Sequence, residues 1–336
     1  MPELERRPLG GTELGVTRLG LGLAAIARPG YITLGRANDL AGERSPEAMY
    51  ARVREVLDAA LAAGVRYVDA ARSYGRAEEF LARWLAERHG ARGVLTVGSK
   101  WGYRYTAGWR IDAAVHEQKE LSVERFVVQL AESRGLLGDG LDLYQIHSAT
   151  AESGCLTDTR LLAMLVAGRR RGDYRAVGLT LSGPTSDRAL GLALAARADG
   201  ERVFDVVQAT FNCLEPSLAR LMGDAHAAGM GVIAKEVFAN GRLTDANARP
   251  DDVAMLGRMR RVAAAHGTTP DRLAVAFTLA HPFVDVALSG AATVDQLRSH
   301  VAATALTLDA AAVDALRAFA EPPERYWATR ATLPWT

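Results

Sequence analysis

The sequence predicts an α/β chain closed into a single (β/α)8 TIM barrel, with an N-terminal β-hairpin and long loops on the C-terminal face. Three observations support this. Eight short apolar runs are each followed by a stretch of helical character, which is the count a closed barrel needs. The 336 residues suit one large barrel, and no linker, low-complexity tract or internal repeat divides residues 1–336. The rival open sheet wants Gly-x-Gly-x-x-Gly after its first strand, but "GLGLAAIARPG" places Ala25 where the third glycine belongs.

The elements follow in order. "GGTELGVTRL" reads as a short hairpin placed to plug the barrel bottom, and "TRLGLGLAA" as the first barrel strand. In "SPEAMYARVREVLDAALAAG" the residues Met49, Val53, Val56, Leu57, Ala60 and Leu61 recur at helical spacing. Ser45 with Pro46 supplies the N-cap and first turn of that helix, and Gly64 its stop. The next strands are "RYVDA", "LTVGSK", "LDLYQIHS", "AVGLTLS", "DVVQATF", "GVIAKE" and "DVALSG". Between them lie the helical runs "AEEFLARWLAER", "VERFVVQLAESR", "RLLAMLVAGRRR", "SDRALGLALAAR", "PSLARLMGDAHAAG" and "PDRLAVAFTLAH". Irregular stretches near 26–44, 101–120 and 236–252 each follow a strand and so belong to the functional rim; an aromatic tail occupies 322–336.

Composition excludes several function classes. About half the residues are hydrophobic (49%), 24% are charged and the net charge is +1, so electrostatic capture of nucleic acid or an anionic membrane is not expected. Cys155 and Cys213 are too few for a disulfide framework, and a reducing cytoplasm is the expected setting. "MPELERRPLGG" has no apolar h-region, and no apolar run is long enough to span a bilayer. The histidines form no His-x-His or His-Glu-x-x-His pattern, so no metal site is expected, and no serine sits in a Gly-x-Ser-x-Gly elbow. The run "GRRRGD" at 168–173 suits a solvated helix end.

The strands end in polar residues: Asp69, Ser99 and Lys100, Gln145 with His147 and Ser148, Thr180 and Ser182, Gln208 and Asn212, Lys235 and Glu236, and Ser289. In a β/α barrel all these ends reach one rim. The residue types fit proton transfer to an oxygen. A phenol, with its ordinary pKa near ~10, donates a proton reluctantly at neutrality, so Tyr74 needs help. An ammonium such as Lys100 would lower the phenol pKa, and Asp69 would keep that lysine charged and oriented. His147 would orient a substrate oxygen.

Together, "YVDAARSYG…AEEFLARWL", "SKWG", "LDLYQIHS", "VVQATFN" and "LSGAATVDQL" resemble the aldo-keto reductases, in the right order from "RRPLGGTEL" to "DQLRSH". The resemblance implies a (β/α)8 barrel that binds extended NADP(H) without a Rossmann domain, and it assigns the catalytic tetrad to Asp69, Tyr74, Lys100 and His147. It places Thr180 and Leu181 where the family has a Ser-Asn pair holding the nicotinamide carboxamide, with Ser182 as a compensating hydroxyl and Gln208 as the second carboxamide ligand. Lys235, Gly241, Leu243, Ser289, Gly290, Thr293, Gln296 and His300 complete the implied cofactor set. Ala292 stands where many relatives carry a basic residue for the 2′-phosphate, which keeps NAD(H) open beside NADP(H). Trp101 and Tyr103 are the expected substrate wall, with Tyr105, Trp109, Trp327 and Trp335 as further aromatic candidates.

The expected function is NADP(H)-dependent reduction of an aldehyde or ketone, with Tyr74 as general acid and a small carbonyl or alcohol as substrate. Two alternatives stand beside it: an NAD-preferring sugar or alcohol dehydrogenase, and a nucleotide-binding regulatory subunit resembling the potassium-channel β subunits. The substrate, the direction of reaction and the oligomeric state are not legible in the sequence.

Overall fold

A computed structural model describes residues 4–40 and 42–336. Eight parallel strands close into a barrel in sequence order: β1 (Leu19–Gly22), β2 (Tyr67–Asp69), β3 (Thr96–Trp101), β4 (Leu143–Ala149), β5 (Ala176–Leu181), β6 (Val206–Thr210), β7 (Gly231–Lys235) and β8 (Val286–Ser289). They coincide with the eight apolar runs. The hairpin strands Arg6–Pro8 and Gly15–Thr17 precede β1. Leu9, Leu14 and Val16 from that hairpin are buried with Tyr67, Leu143, Val206, Ile233 and Val286, so it plugs the lower end of the barrel.

Helices Pro46–Ala62, Ala77–Glu87, Val123–Leu137, Thr159–Arg171, Ser186–Ala195, Ala219–Ala227, Pro270–Leu279 and Val294–Ala303 cover the outside, and their apolar faces join the outward side chains of the strands in the main core. Ser45 accepts the Ala48 N–H, as its place before Pro46 predicts. Among the described residues four further helices were not anticipated: Arg36–Asp39, Val253–Ala265, Ala310–Arg317 and Pro323–Ala331. The last occupies most of the stretch read as a tail, and Pro323 starts it. The 101–120 stretch contains a small hairpin, Tyr103–Tyr105 paired with Glu117–Lys119.

Register aligns the polar strand ends. Asp69 lies opposite Gly98, Lys100 opposite Gln145, Thr180 opposite Gln208, and Thr210 opposite Lys235. The β4–β5 ladder is irregular between Ile146 and Ala149, where Ser148 takes φ 54°. Such a bulge re-aims side chains at a strand end, here those of His147 and Ser148.

Candidate active site

The barrel's upper mouth holds a cavity of about 300 Å³, lined by residues from most of the strands and from the loops after β1, β3 and β7. Three of the four predicted catalytic side chains, Asp69, Tyr74 and His147, line it, and the fourth, Lys100, is buried against Asp69 behind them. Lys100, 1% exposed, forms an ion pair with Asp69 Oδ2 and donates to the Ala70 carbonyl at 2.9 Å. The other carboxylate oxygen of Asp69 accepts from Tyr67 OH at 2.9 Å, Gln208 Nε2 at 3.0 Å and Gln145 Nε2 at 3.3 Å. Burying this pair is tolerable because nearly every lone pair and proton is used.

Tyr74 projects over the pair. Its hydroxyl lies 3.4 Å from His147 Nε2, and Lys100 Nζ is 4.6 Å from its ring centroid. Ser73 Oγ stands 3.4 Å from His147 Nδ1, so both imidazole nitrogens have a hydroxyl neighbour. The glycine that follows the tyrosine has a physical role. Gly75 has φ 59°, and a Cβ there would stand 2.6 Å from the Ala27 carbonyl oxygen and 2.7 Å from Arg28 Cβ. Only glycine lets the loop after β1 settle against Tyr74.

The electrostatics differ from the sequence expectation in one respect. Burial holds the Tyr74 phenol well above its ordinary value; Asp69 adds to the rise, and Arg28 opposes it only in part. The phenol is therefore a loaded proton donor and not one poised near neutrality. Burial likewise keeps His147 neutral, well below the usual imidazole range, reinforced by Lys100, Lys235, Arg28 and Lys119. Burial also lowers Lys100, while Asp69 holds it up.

Of the predicted cofactor residues, Thr180, Ser182, Gln208, Lys235, Gly241, Ser289 and Gly290 line the cavity. Thr180 Oγ1 accepts the Ser148 N–H at 2.7 Å, and Lys235 Nζ donates to Ser182 Oγ at 3.0 Å and Thr210 Oγ1 at 2.9 Å. Gly290 lies on the wall, and a Cβ built there would meet nothing within 4 Å. Hydroxyls, an amide and an ammonium around open space fit the polar amide end of a nicotinamide. The remaining four stand outside the cavity lining. Leu243 is core; Thr293 caps helix Val294–Ala303; Gln296 donates to Asp39 Oδ2 at 2.8 Å; His300 bonds Ser289 Oγ at 2.8 Å and stacks on Phe238. Burial depresses His300 to about 4, against the pull of Asp271, so its imidazole is neutral.

Tyr103 lines the cavity and packs edge-on against His147, with ring centroids 4.9 Å apart. Trp101 does not: it is fully buried against Phe126, on the helix side of β3. Alternation along a strand requires this, because Lys100 points inward and its neighbour must point out. The same parity turns Leu181 into the helix layer while Thr180 faces the cavity. Among the other aromatic candidates, Trp335 is part of the wall.

Sequence reasoning missed a set of loop residues. Arg28 pairs with Glu117, donates to the Ser73 carbonyl at 3.3 Å, and lies 5.0–5.2 Å from the ring centres of Tyr31, Tyr74 and Trp335. Arg330 grips Glu236 through both carboxylate oxygens, with Nε at 2.9 and 3.0 Å. These pairs fasten the 101–120 hairpin and helix Pro323–Ala331 to the rim. Among the described residues no cluster of His, Cys, Asp and Glu is arranged to hold a metal, and no helix is long and apolar enough to cross a membrane.

Comparison with known proteins gives the family and the fold. The sequence profile of the Aldo/keto reductase family matches residues 32–321. The chain is 25% identical over 331 residues to aldo-keto reductase str7 of Strobilurus tenacellus, spanning 92% of this chain and 90% of the relative. It superposes on aldo-keto reductase AKR11C1 from Bacillus halodurans, solved in a holo form, with a TM-score of 0.74 and 20% identity over 95% of this chain and 97% of the other.

Proposed function

Since the chain belongs to the aldo/keto reductase family, we propose that it reduces an aldehyde or ketone to an alcohol with a nicotinamide cofactor, Tyr74 acting as general acid. The observation that supports this most is that Asp69, Tyr74 and His147 line one cavity together with Thr180, Ser182 and Gln208, with Lys100 paired to Asp69 behind them. When bound, the reduced nicotinamide supplies hydride to the carbonyl carbon. The chain's own residues handle the proton. Tyr74 holds it on a phenol that burial keeps protonated, 3.4 Å from a neutral His147 that can share a carbonyl oxygen between Nε2 and the phenol hydroxyl. Lys100, beneath the phenol ring, stabilises the phenolate left after donation, and Asp69 fixes its position. Tyr103, Tyr31 and Trp335 wall off the mouth and limit water.

NADP(H) is the cofactor implied by resemblance. One observation favours NAD(H) instead. The buried methyl of Ala292 offers no cation, and Gln296 four residues on is bonded to the Asp39 carboxylate, which would repel a 2′-phosphate nearby. Separate titrations with NADPH and NADH, followed by an aldehyde and ketone panel with the tighter one, test both readings. Binding of neither, or binding with no turnover of any carbonyl, would refute the reductase assignment.

A further inference from the structure

The charges around the cavity do not cancel. Arg28 is paired with Glu117, Lys100 with Asp69, and Arg330 with Glu236. Lys235, its side chain 14% exposed, has no carboxylate of its own. Its nearest carboxylate oxygen, on Glu236, is 3.9 Å away and is already held by Arg330. Two cations thus share one carboxylate. Lys235 Nζ rests on the hydroxyl oxygens of Ser182 and Thr210, which leaves one of its three N–H groups for a ligand. Ser182 faces the space assigned above to the nicotinamide amide, one hydrogen bond from the ammonium.

We propose that Lys235 makes this site discriminate between the two redox forms of its cofactor, repelling the oxidised form and retaining the reduced one. The inference rests on the nicotinamide reading of the preceding subsection. An oxidised nicotinamide ring carries a positive charge and the reduced ring carries none, so a fixed cation a few ångströms away penalises only the former. The remaining donor of Lys235 hydrogen-bonds the carboxamide in either form and carries no preference. The consequence is a site that loads with reduced cofactor and expels the spent one, a bias toward reduction built into binding.

The bias is titratable. Burial lowers Lys235 to about 8, with Arg330 and Lys100 pushing the same way and Glu236 and Asp69 opposing. His147, which also faces it, is neutral and adds no charge. Loss of the lysine proton as pH rises through that value removes the repulsion.

The experiment is calorimetric titration of the wild type and Lys235→Met with both redox forms of the better-binding cofactor, at about pH 7 and about pH 9. In the wild type at the lower pH the oxidised form should bind about tenfold more weakly than the reduced, and the ratio should shrink at the higher pH. Lys235→Met loses the carboxamide bond for both forms alike, so it should shift the ratio of the two affinities about tenfold toward the oxidised form and abolish the pH dependence of that ratio. Lys235→Arg should keep the discrimination at both pH values, since guanidinium does not titrate there. Should Lys235→Met fail to fold, the wild-type pH series and the arginine variant decide alone. Equal ratios in wild type and Lys235→Met, or a ratio indifferent to pH in the wild type, would overturn the role of Lys235 while leaving the cofactor site standing. Absence of binding of either form to the wild type would overturn the cofactor reading and this inference together.

Discussion

Replacing Glu236 by glutamine tests how the rim is held together. The Glu236 side chain is 7% exposed, bonded to Arg330 through both oxygens and accepting from Thr210 Oγ1 at 3.2 Å. Burial alone would raise its pKa, yet Arg330 and Lys235 outweigh that and bring it from 4.5 to about 2. The folded pKa is therefore depressed, so the stability it contributes is complete above about 4.5 and is lost as pH falls toward about 2. A shift of that size corresponds to about 3 kcal/mol in full, of which roughly 1 kcal/mol is lost by about pH 4. Urea unfolding of wild type and Glu236→Gln, followed by tryptophan fluorescence and circular dichroism between about pH 7 and pH 4, isolates this group by difference. The wild-type advantage should narrow by roughly 1 kcal/mol over that range with unchanged m-values. Parallel stability curves would show that the Arg330–Glu236 pair does not carry the rim.

Two more outcomes follow from the site. Tyr74→Phe should lower kcat by roughly 10²–10⁴ while cofactor affinity changes little, as stopped-flow and titration would measure; unchanged turnover removes the phenol from the chemistry. Trp101→Ala should cost about 3–5 kcal/mol of stability in denaturant unfolding, since the indole is core and not pocket wall; a change in substrate KM at unaltered stability would contradict that placement.

How much was legible beforehand depends on sequence distance. The strands were readable because each is local, an apolar run with a polar end. The pair Asp69 and Tyr74, then Lys100, then His147 lie far apart along the chain, and were grouped because each lies at or just past a strand end and sits in a motif that resembles one family. Strand parity is also legible in the sequence: with Lys100 facing inward, Trp101 must face outward. Arg28, Glu117 and Arg330 were out of reach. Each is an unremarkable charge in an irregular stretch, and its role exists only once closure brings residue 28 to residue 117 and residue 330 to residue 236, separations of 89 and 94 positions. The residues expected at the far end of the cofactor have partners that the pattern did not foretell. Thr293 caps a helix, Gln296 bonds Asp39 and His300 bonds Ser289, contacts that depend on residues distant in sequence or on the helix start.

The buried ions and the neutral rings form one arrangement, and it predicts where pH should have no effect. Every cation near Tyr74 and His147 pushes against protonation of the imidazole, and burial pushes the same way, so His147 stays neutral well below its ordinary 6.5. The unfolded chain takes up that proton as pH falls through about 6.5 and the folded chain does not, so acidification costs stability without charging the site. The Tyr74 phenol, raised well above 10.0, keeps its proton throughout the neutral range. Tyr74 and His147 therefore keep one protonation state through the neutral range, and the group titrating at its upper edge, at about 8, is Lys235. NMR of histidine-labelled protein, with the His147 signal among seven identified by its loss in His147→Gln, should show that ring titrating well below the ordinary 6.5. A midpoint near 6.5 would mean that the imidazole is charged over part of that range, and His147 would then compete with Tyr74 for the proposed role of proton donor.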